Sequence, residues 1–395
     1  MKLYSKIHGL RLAEPKVLRI AEEPDRPGDV KAVEALLLEQ STRTNAEGFG
    51  LMLSRSTSAG LLQLPPELNY LRTGDIIRVS TNGELSVLYR KNSRFNTMLV
   101  TERCNSKCLM CSQPPRDIND DFLIEDWLEA IRLMSPETAE LGITGGEPTL
   151  RFQGLLDLIA ATKEHLPNTA LHMLSNGRLF CYLKYAQRIA AIGHRDFVIG
   201  IPIYSDVPTI HDFVVQAEKA FEQTLLGILN LARVHQRIEI RFVIHRQTVD
   251  RLPQFARFVA RNLPFVDHVA LMGLEIMGYT RSNLETLWID PLDFQQQLEA
   301  AVFELNWAGL PVSIYNLPLC LLPKPLWRYS RQSISDWKNI YFDECQKCAV
   351  QEFCAGFFAS AEMKRSRFIR PLAMSDREYA IDIFGEKTLE QATEK

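Results

Sequence analysis

The sequence is poor in the features that mark secreted, membrane-spanning or nucleic-acid-binding proteins. Its first residues, MKLYSKIHGLRLAEPK, lack the apolar core of a secretory signal, and no apolar run approaches the length of a membrane span. The net charge is −3 at pH 7, without the excess of lysine and arginine that binding to nucleic-acid phosphates needs. These absences predict a cytoplasmic chain without membrane contact and disfavour nucleic acid as a partner.

Cysteine is scarce as well, but its distribution is uneven. Most of the eight cysteines fall into two tight groups, which is unlike the scattered spacing of structural disulfides; they lie at positions 104, 108, 111, 181, 320, 345, 348 and 354. Stable disulfides are rare in the cytoplasm. The grouping therefore favours ligation of a metal or cofactor, with the isolated Cys181 read as a buried thiol.

Residues 1–95 have the pattern of a small, mainly β domain. The stretch GDIIRVSTNGELSVLYR predicts a hairpin, with Asn82–Gly83 as a type I′ turn between two β-rich runs. No chemical motif stands in this region. Recognition of a substrate or partner is a candidate role for this region, on which its sequence is silent.

Short apolar runs alternate with helical segments from residue 96 to 285. Six strands are predicted, at 96–102, 139–144, 170–175, 196–204, 238–244 and 267–275. Six βα units predict an α/β class with a parallel sheet, either open or curved into a partial (β/α)6 barrel, and ligands belong at the carboxyl ends of its strands. Residues 286–372 form a Cys-rich extension that starts with a helix and a strand, and 373–395 form a mobile tail.

The first cysteine group, in TERCNSKCLMCSQPP, directly follows the first α/β strand. Its spacing is C-x3-C-x2-C. A structural zinc site takes four ligands, and no histidine stands nearby to complete one. A redox pair would use Cys108 and Cys111 but leave Cys104 without a role. A [4Fe–4S] cluster accounts for all three cysteines and leaves one iron open for a cofactor or substrate.

The segment GITGGEP follows the second strand. Gly145 and Gly146 allow a ligand to approach the backbone closely, and Glu147 places a carboxylate beside them, although a plain strand–helix turn has the same composition. The cysteine loop and this segment together resemble the radical S-adenosylmethionine (SAM) superfamily. The resemblance implies that the open iron binds SAM, that GGEP binds the methionine amino group, and that reduction of the cluster yields a 5′-deoxyadenosyl radical. Met110 departs from the aromatic residue usual before the third cysteine.

Weaker candidates for SAM contacts follow the later strands. Ser175 and Asn176, in LSNG, resemble a segment of relatives, but a helix-capping turn explains them equally well. Ser205 is the nearest serine to a position that meets the SAM ribose or carboxylate in relatives. Arg241 faces either the SAM carboxylate or a structural salt-bridge partner, and Leu274 is expected near the adenine.

The second cysteine group has the spacing C-x2-C-x5-C. With Cys320 it supplies four thiols, which suit either zinc or an auxiliary iron–sulfur cluster. The spacing resembles part of the SPASM and twitch extensions of peptide-modifying radical SAM enzymes, although a full SPASM domain carries more cysteines. The resemblance favours an auxiliary [4Fe–4S] cluster held by the thiols of Cys320, Cys345, Cys348 and Cys354.

Longer stretches resemble one maturase group, the C-type radical SAM maturases of the His-Xaa-Ser system. These are MLVTERCNSKCLMCSQPPR, MGLEIMGYTR, LWIDP, SIYNLPLC and SDWKNIYFDECQKC. The resemblance implies modification of a ribosomally made precursor peptide (a RiPP), a second radical SAM maturase as a possible partner, and an electron donor such as flavodoxin or ferredoxin. Two alternatives stay open: a radical SAM enzyme acting on a small molecule or RNA, and a non-catalytic zinc-binding interaction module.

Overall fold

A computed structural model describes residues 3–25, 27–39, 48–55, 62–332 and 339–385 of the chain. The chain divides into two compact units. The first comprises Met1–Thr101, Ile118–Met173 and Ile192–Phe197, and the second comprises Glu102–Asp117, Leu174–Ala191 and Val198–Lys395. Within the described ranges, every helix is too short or too polar to cross a membrane.

The first unit begins with a seven-stranded sheet around a core of leucine, isoleucine and valine side chains. Its strands are ordered β1-β7-β6-β2-β3-β4-β5, and only β2 to β5 pair in parallel; they are β1 (Tyr4–Lys6), β2 (Lys16–Ala21), β3 (Glu34–Leu38), β4 (Leu51–Ser54), β5 (Leu62–Gln63), β6 (Ile76–Val79) and β7 (Glu84–Tyr89). A single helical turn, α1 (Gly28–Lys31), connects β2 to β3. The predicted mainly β N-terminal region is therefore confirmed.

The predicted hairpin is confirmed as β6 and β7, but the predicted turn type is wrong. Only Gly83 has a positive φ, of 82°, whereas a type I′ turn needs one at Asn82 as well. The loop is a four-residue turn closed by the Gly83 amide on the Ser80 carbonyl at 3.0 Å. The Asn82 carboxamide accepts from the Glu84 amide at 3.2 Å, so its side chain supports the turn instead of a left-handed backbone.

The first unit continues with α/β structure. Its elements are β8 (Asn96–Leu99), α2 (Phe122–Leu133), β9 (Glu140–Thr144), α3 (Phe152–His165) and β10 (Ala170–Leu174). The strands are parallel, in the order β10-β9-β8. Each begins and ends within three residues of its predicted bounds, because short apolar runs bounded by turn residues are a strong strand signal.

The second unit carries four more parallel strands, in the order β14-β13-β12-β11. Its elements are α4 (Leu183–Ala191), β11 (Phe197–Pro202), α5 (Pro208–Val215), α6 (Ala220–Arg233), β12 (Arg237–Ile244), α7 (Leu252–Asn262), β13 (His268–Gly273), α8 (Tyr279–Ser282), α9 (Leu284–Leu287), α10 (Gln295–Trp307) and β14 (Val312–Tyr315). The helix and strand predicted to open the extension are α10 and β14. In the described part of the second unit, β14 pairs in parallel with β13, so the strand predicted to open the extension lies beside the sixth predicted α/β strand.

The Cys-rich region has little regular structure. It contains a short antiparallel pair, β15 (Asn339–Ile340) and β16 (Phe357–Phe358), separated by 3-10 turns. A helix, α11 (Met374–Phe384), lies inside the predicted tail. Residues 333–338, which include the first four residues of the stretch SDWKNIYFDECQKC, and residues 386–395 lie outside the described residues.

Candidate functional site

The first cysteine loop spans residues 104–115, and two ion pairs join the residues directly before it to the residues directly after it. Arg116 meets Glu102 at 3.0 Å, and Arg103 meets Asp117 at 2.6 Å. The Arg116 amide also donates to the Glu102 carbonyl at 2.9 Å. Exposed ion pairs contribute little to the free energy of folding individually. The main effect of these two pairs is therefore to fix where the loop begins and ends.

Backbone hydrogen bonds hold the middle of the loop against the end of α5. The Lys107 and Leu109 amides donate to the Val215 and Val214 carbonyls at 3.0 and 2.9 Å. The segment around α8 holds the last part of the loop: the Tyr279 amide donates to the Cys111 carbonyl at 2.9 Å, and the Asn283 carboxamide to the Leu109 carbonyl at 2.8 Å. The loop is therefore ordered along its length by its own protein scaffold.

Residues of the LSNG turn contact the same loop. The Asn176 carboxamide donates to the Asn105 side chain at 2.6 Å, and Arg178 donates to the Asn105 carbonyl at 2.6 Å. Ser175 is buried, and its hydroxyl accepts from the Gly177 amide at 3.1 Å, within the turn that precedes a short 3-10 helix. Arg178 was missed by the sequence analysis, because nothing local marks an arginine that reaches a loop 72 residues away.

The interior of the loop is apolar. Met110 packs in a buried cluster with Tyr204, Val214 and Leu287, and Cys108 and Leu274 pack against that cluster. Burial, then the neighbouring Cys111 and Cys104 thiols, raise the pKa of Cys108 to about 12. Cysteine thiolates are the ligands that iron–sulfur clusters take. The donor set thus fits a cluster.

Tyr204 and His211 form a second feature beside the cysteine loop. The His211 ring stacks on the Tyr204 ring with centroids 5.9 Å apart, and its Nδ1 accepts from the Tyr204 amide at 3.2 Å. Burial raises the pKa of Tyr204 and lowers the pKa of His211 to about 4. Both side chains therefore stay neutral at neutral pH. With Met110, Val214 and Leu287 they form the apolar surface on which the cysteine loop packs, which we call the bed of the loop.

The GGEP segment lies in the first unit, at the carboxyl end of β9. An ideal Cβ on Gly145 would stand 2.5 Å from the Thr101 carbonyl oxygen, so no other residue fits there. The Gly146 amide donates to the same oxygen at 2.8 Å. Glu147 is fully buried, and its carboxylate accepts from the Thr149 amide and hydroxyl at 3.1 and 2.7 Å. The glutamate thus caps the turn before α3.

A buried polar network supports the GGEP segment from the same unit. The Thr101 hydroxyl donates to the Asp120 carboxylate at 2.9 Å, and Arg151 pairs with Asp120 at 2.9 Å. Asp120 is almost fully buried, so a partner for its charge is required. Asp120 and Arg151 were not identified from the sequence, because their role depends on this long-range contact.

The remaining predicted SAM contacts have local partners in the second unit. The buried Ser205 hydroxyl accepts from the Val207 amide at 3.1 Å. Arg241, on β12, pairs with Glu239 two residues earlier on the same face and contacts the Met272 sulfur at 3.2 Å. The structural salt bridge considered for Arg241 is therefore present. Leu274 lies beyond the end of β13, beside the bed of the cysteine loop.

The second set of cysteines converges on one cavity. Its walls include Tyr341, Phe357 and Arg370 together with all four predicted thiols, Cys320, Cys345, Cys348 and Cys354. Backbone amides point at two of the sulfurs: Leu319 and Gly356 donate to Cys354, and Leu372 donates to Cys348, each at 3.4 Å. Burial raises the pKa of Cys354 to about 12 and of Cys320 to about 11. Amide donors to sulfur suit an iron–sulfur cluster.

All eight cysteines lie within the described residues, and none forms a disulfide. In those residues no three histidine, cysteine, aspartate or glutamate side chains are drawn together as ligands of one metal ion. Cys181 stands apart from both groups, half-buried rather than fully buried as expected, in the 3-10 turn after Gly177.

A second cavity lies at the carboxyl ends of β12, β13 and β14. Leu274, Trp288 and Phe294 form part of its wall, and the C-terminal segment 355–366 covers it. Lys364 lies 4.9 Å over the Trp288 ring at this wall. Pro318 and Phe357 line both this cavity and that of the four cysteines. The cavity thus adjoins the second cysteine set on one side and, through Leu274, the bed of the first on the other.

A loop with three cysteines follows β8, and a GGEP turn follows β9, which is the pattern expected of the radical SAM class. Residues 98–259 match the family model of the Radical SAM superfamily. The chain therefore contains a radical SAM domain, and the prediction of its α/β fold class is confirmed. That superfamily uses a [4Fe–4S] cluster and SAM.

Individual relatives resemble only part of the chain. Pre-heme d1 synthase of Dinoroseobacter shibae is 32% identical over 166 residues, which are 40% of this chain and 38% of that protein. Streptococcus suis SuiB bound to S-adenosylmethionine is 15% identical, with a TM-score of 0.45 over 56% of this chain and 50% of SuiB. The enzyme anSMEcpe with bound AdoMet and Cp18Cys peptide is 18% identical, with a TM-score of 0.41 over 55% of this chain and 62% of the anSMEcpe chain. The chain thus spans about two fifths to three fifths of these relatives.

Proposed function

We propose that the protein is a cytoplasmic radical SAM maturase that modifies a ribosomally made peptide, of the His-Xaa-Ser type indicated by the sequence. Cys104, Cys108 and Cys111 hold the catalytic [4Fe–4S] cluster, and the GGEP segment binds the methionine end of SAM. When bound and reduced, this pair supplies a 5′-deoxyadenosyl radical that abstracts a hydrogen atom from the substrate. The precursor peptide, a partner maturase and a flavodoxin or ferredoxin are the proposed partners.

The chain's own residues orient and shield this chemistry. Backbone bonds from α5 and the α8 segment hold the cysteine loop, and the neutral Tyr204 and His211 rings keep water from its inner face. Glu147 and the two glycines present carboxylate and backbone acceptors at the end of β9, which suit an ammonium group. Ser175, Asn176, Ser205 and Arg241 have protein partners already, so we assign them to supporting roles and leave Leu274 as the proposed adenine neighbour.

The observation that carries the proposal is the position of the cavity at the ends of β12, β13 and β14. Leu274 lines this cavity and also packs against the buried cluster beside the catalytic cysteine loop. Pro318 and Phe357 line both this cavity and the cavity of the other four cysteines. A substrate in this cavity lies between the two cysteine sets. The thiols of the second set would hold an auxiliary [4Fe–4S] cluster, which would supply an electron acceptor or help to shape the peptide groove.

A second candidate is a reaction on a small molecule. The relative from Dinoroseobacter shibae is named for making pre-heme d1, and it is 32% identical over 166 residues. Aromatic side chains at Trp288, Phe294 and Phe357 would suit a flat apolar ligand as well as a peptide side chain. The choice therefore depends on which substrate class stimulates turnover.

Anaerobic reconstitution tests the proposal. The full chain is expected to take up iron and sulfide for two clusters and to form 5′-deoxyadenosine from SAM after reduction, with a mass change in a His-Xaa-Ser precursor peptide. Cys108→Ala should abolish SAM cleavage. Cys345→Ala should remove the second cluster only, leaving SAM cleavage but lowering product formation. Cys181→Ala is the matched control and should retain both clusters.

Two results would contradict the proposal in different ways. Binding of zinc without SAM cleavage would show an interaction module rather than an enzyme. SAM cleavage that responds to a tetrapyrrole and not to peptide would favour the small-molecule candidate.

A further inference from the structure

The three residues between the first two cysteines of the catalytic loop are each held by a neighbouring element. Arg178 Nη1 donates to the Asn105 carbonyl at 2.6 Å and to the Ser106 hydroxyl at 3.2 Å. The Lys107 amide donates to the Val215 carbonyl at 3.0 Å. Arg178 thus makes two hydrogen bonds to the three-residue spacer, residues 105–107. The conformation of this spacer determines how far apart the thiols of Cys104 and Cys108 lie.

Arg178 is itself fixed from both sides. Its Nε donates to the Gln223 carboxamide on α6 at 2.7 Å, and its backbone amide donates to Asn176 Oδ1 at 3.0 Å. Asn176 Nδ2 reaches on to Asn105, so the Asn176 carboxamide links Arg178 to the spacer a second time. The hydrogen bond at Nε restricts the rotation of the Arg178 side chain, so the position of the guanidinium is fixed. The guanidinium also stays protonated at every relevant pH.

The turn that carries Arg178 needs two glycines to lie where it does. Gly177 has a φ of 75°, in the left-handed region. On α6, an ideal Cβ at Gly227 would stand 2.2 Å from the Gly177 carbonyl oxygen. The Thr224 hydroxyl donates to the Asn176 carbonyl at 2.9 Å across the same contact. This close approach of turn and helix points the guanidinium at the cysteine loop.

We propose that Arg178 is a positioning residue for the catalytic cluster, fixing the spacer between Cys104 and Cys108 and holding a positive charge against that spacer. The inference rests on the proposed function, because it assumes a cluster at this loop. The reduction potential of an iron–sulfur cluster depends on its net charge and on its hydrogen-bonded surroundings. A fixed guanidinium favours the reduced, more negative cluster, so it raises the potential of the electron transfer that precedes SAM cleavage.

The test compares variants of the reconstituted full chain. The catalytic cluster is identified as the one whose electron paramagnetic resonance (EPR) signal changes when SAM is added, and its midpoint potential is measured by redox titration. Arg178→Met should lower that potential and should release iron from this cluster to a chelator about tenfold faster, as expected for loss of a charge-assisted hydrogen bond. Arg178→Lys keeps the positive charge, so its cluster should have the potential measured in the unchanged chain. It should still release iron faster than the unchanged chain, because lysine cannot make the same pair of hydrogen bonds.

Arg261→Met is the matched control, since it removes an exposed arginine from the end of α7. Its potential and iron release should equal those of the unchanged chain. Equal values in Arg178→Met would overturn the inference, provided that the unchanged chain binds its cluster. If the unchanged chain binds no cluster, the proposed function itself has failed. If Arg178→Met does not fold, Gln223→Met decides, because it releases only the Nε anchor, and an unaltered EPR signal there would likewise refute the inference.

Discussion

Replacing Gly145 by alanine tests how closely the GGEP turn must approach the strand before the cysteine loop. The new Cβ would stand 2.5 Å from the Thr101 carbonyl oxygen and 3.2 Å from the Thr101 nitrogen. Both are backbone atoms, so no side chain can rotate away. Reaching ordinary contact at 3.4 Å requires the two backbones to part by about 0.9 Å.

A shift of that size also breaks the hydrogen bond from the Gly146 amide to Thr101, which is 2.8 Å long. Overpacking of this kind costs about 1–3 kcal/mol, and a lost backbone hydrogen bond adds about 1 kcal/mol. We therefore expect Gly145→Ala to lower the free energy of unfolding by about 2–4 kcal/mol, the sum of these two costs.

Urea unfolding of the metal-free chain, followed by circular dichroism, measures this change. Gly28→Ala is the matched control in the same unit, because a Cβ there meets no atom within 4 Å. Its stability should change by less than about 0.5 kcal/mol. If Gly145→Ala proved as stable as Gly28→Ala, the close contact with Thr101 would not exist in solution.

Two further predictions concern the second unit. Gly278→Ala should reduce the iron retained by the cysteine loop, because its Cβ would lie 2.3 Å from the Cys111 carbonyl oxygen; Gly309→Ala, which also has a positive φ but an open surrounding, should retain it. Burial lowers the pKa of His211 and His245 to about 4, so the unfolded chain binds more protons below the ordinary value of 6.5. Stability should thus fall as the pH drops from about 6.5 towards 4, by about 2 kcal/mol per histidine at pH 5. Urea midpoints at pH 7 and pH 5 should show a smaller difference in His245→Phe; an equal difference would contradict the assignment.

The sequence was most informative where the signal is local. All six predicted α/β strands were found, because an apolar run of about four to eight residues bounded by turn residues is a strong signal for a buried strand. The cysteine loop and GGEP were recognisable for the same reason: their spacing and their place after β8 and β9 are visible along the chain. The hairpin at β6 and β7 was found, but its turn type was not, since the Asn82 side chain took a role that only coordinates reveal.

Long-range contacts were beyond the reach of sequence reasoning. Arg178 and Asn105 are 73 positions apart, and neither has a pattern that marks a partner. The network of Thr101, Asp120 and Arg151 was missed for the same reason. Arg241 was ambiguous because an arginine on an apolar strand needs an anion, and only the structure shows that Glu239 supplies one.

Strand β14 has a practical consequence for dividing the chain into fragments. A fragment ending at residue 285 would follow the sequence pattern but would remove β14 and leave the edge of β13 without its neighbour. An exposed parallel edge is a template for pairing between molecules. Gly273, at the end of β13, also lies against the Asn316 carbonyl so closely that an ideal Cβ would stand 2.6 Å from it. Fragments intended to stay soluble should therefore extend past residue 317, and chimaeras that exchange the Cys-rich region should keep β14 with its own sheet.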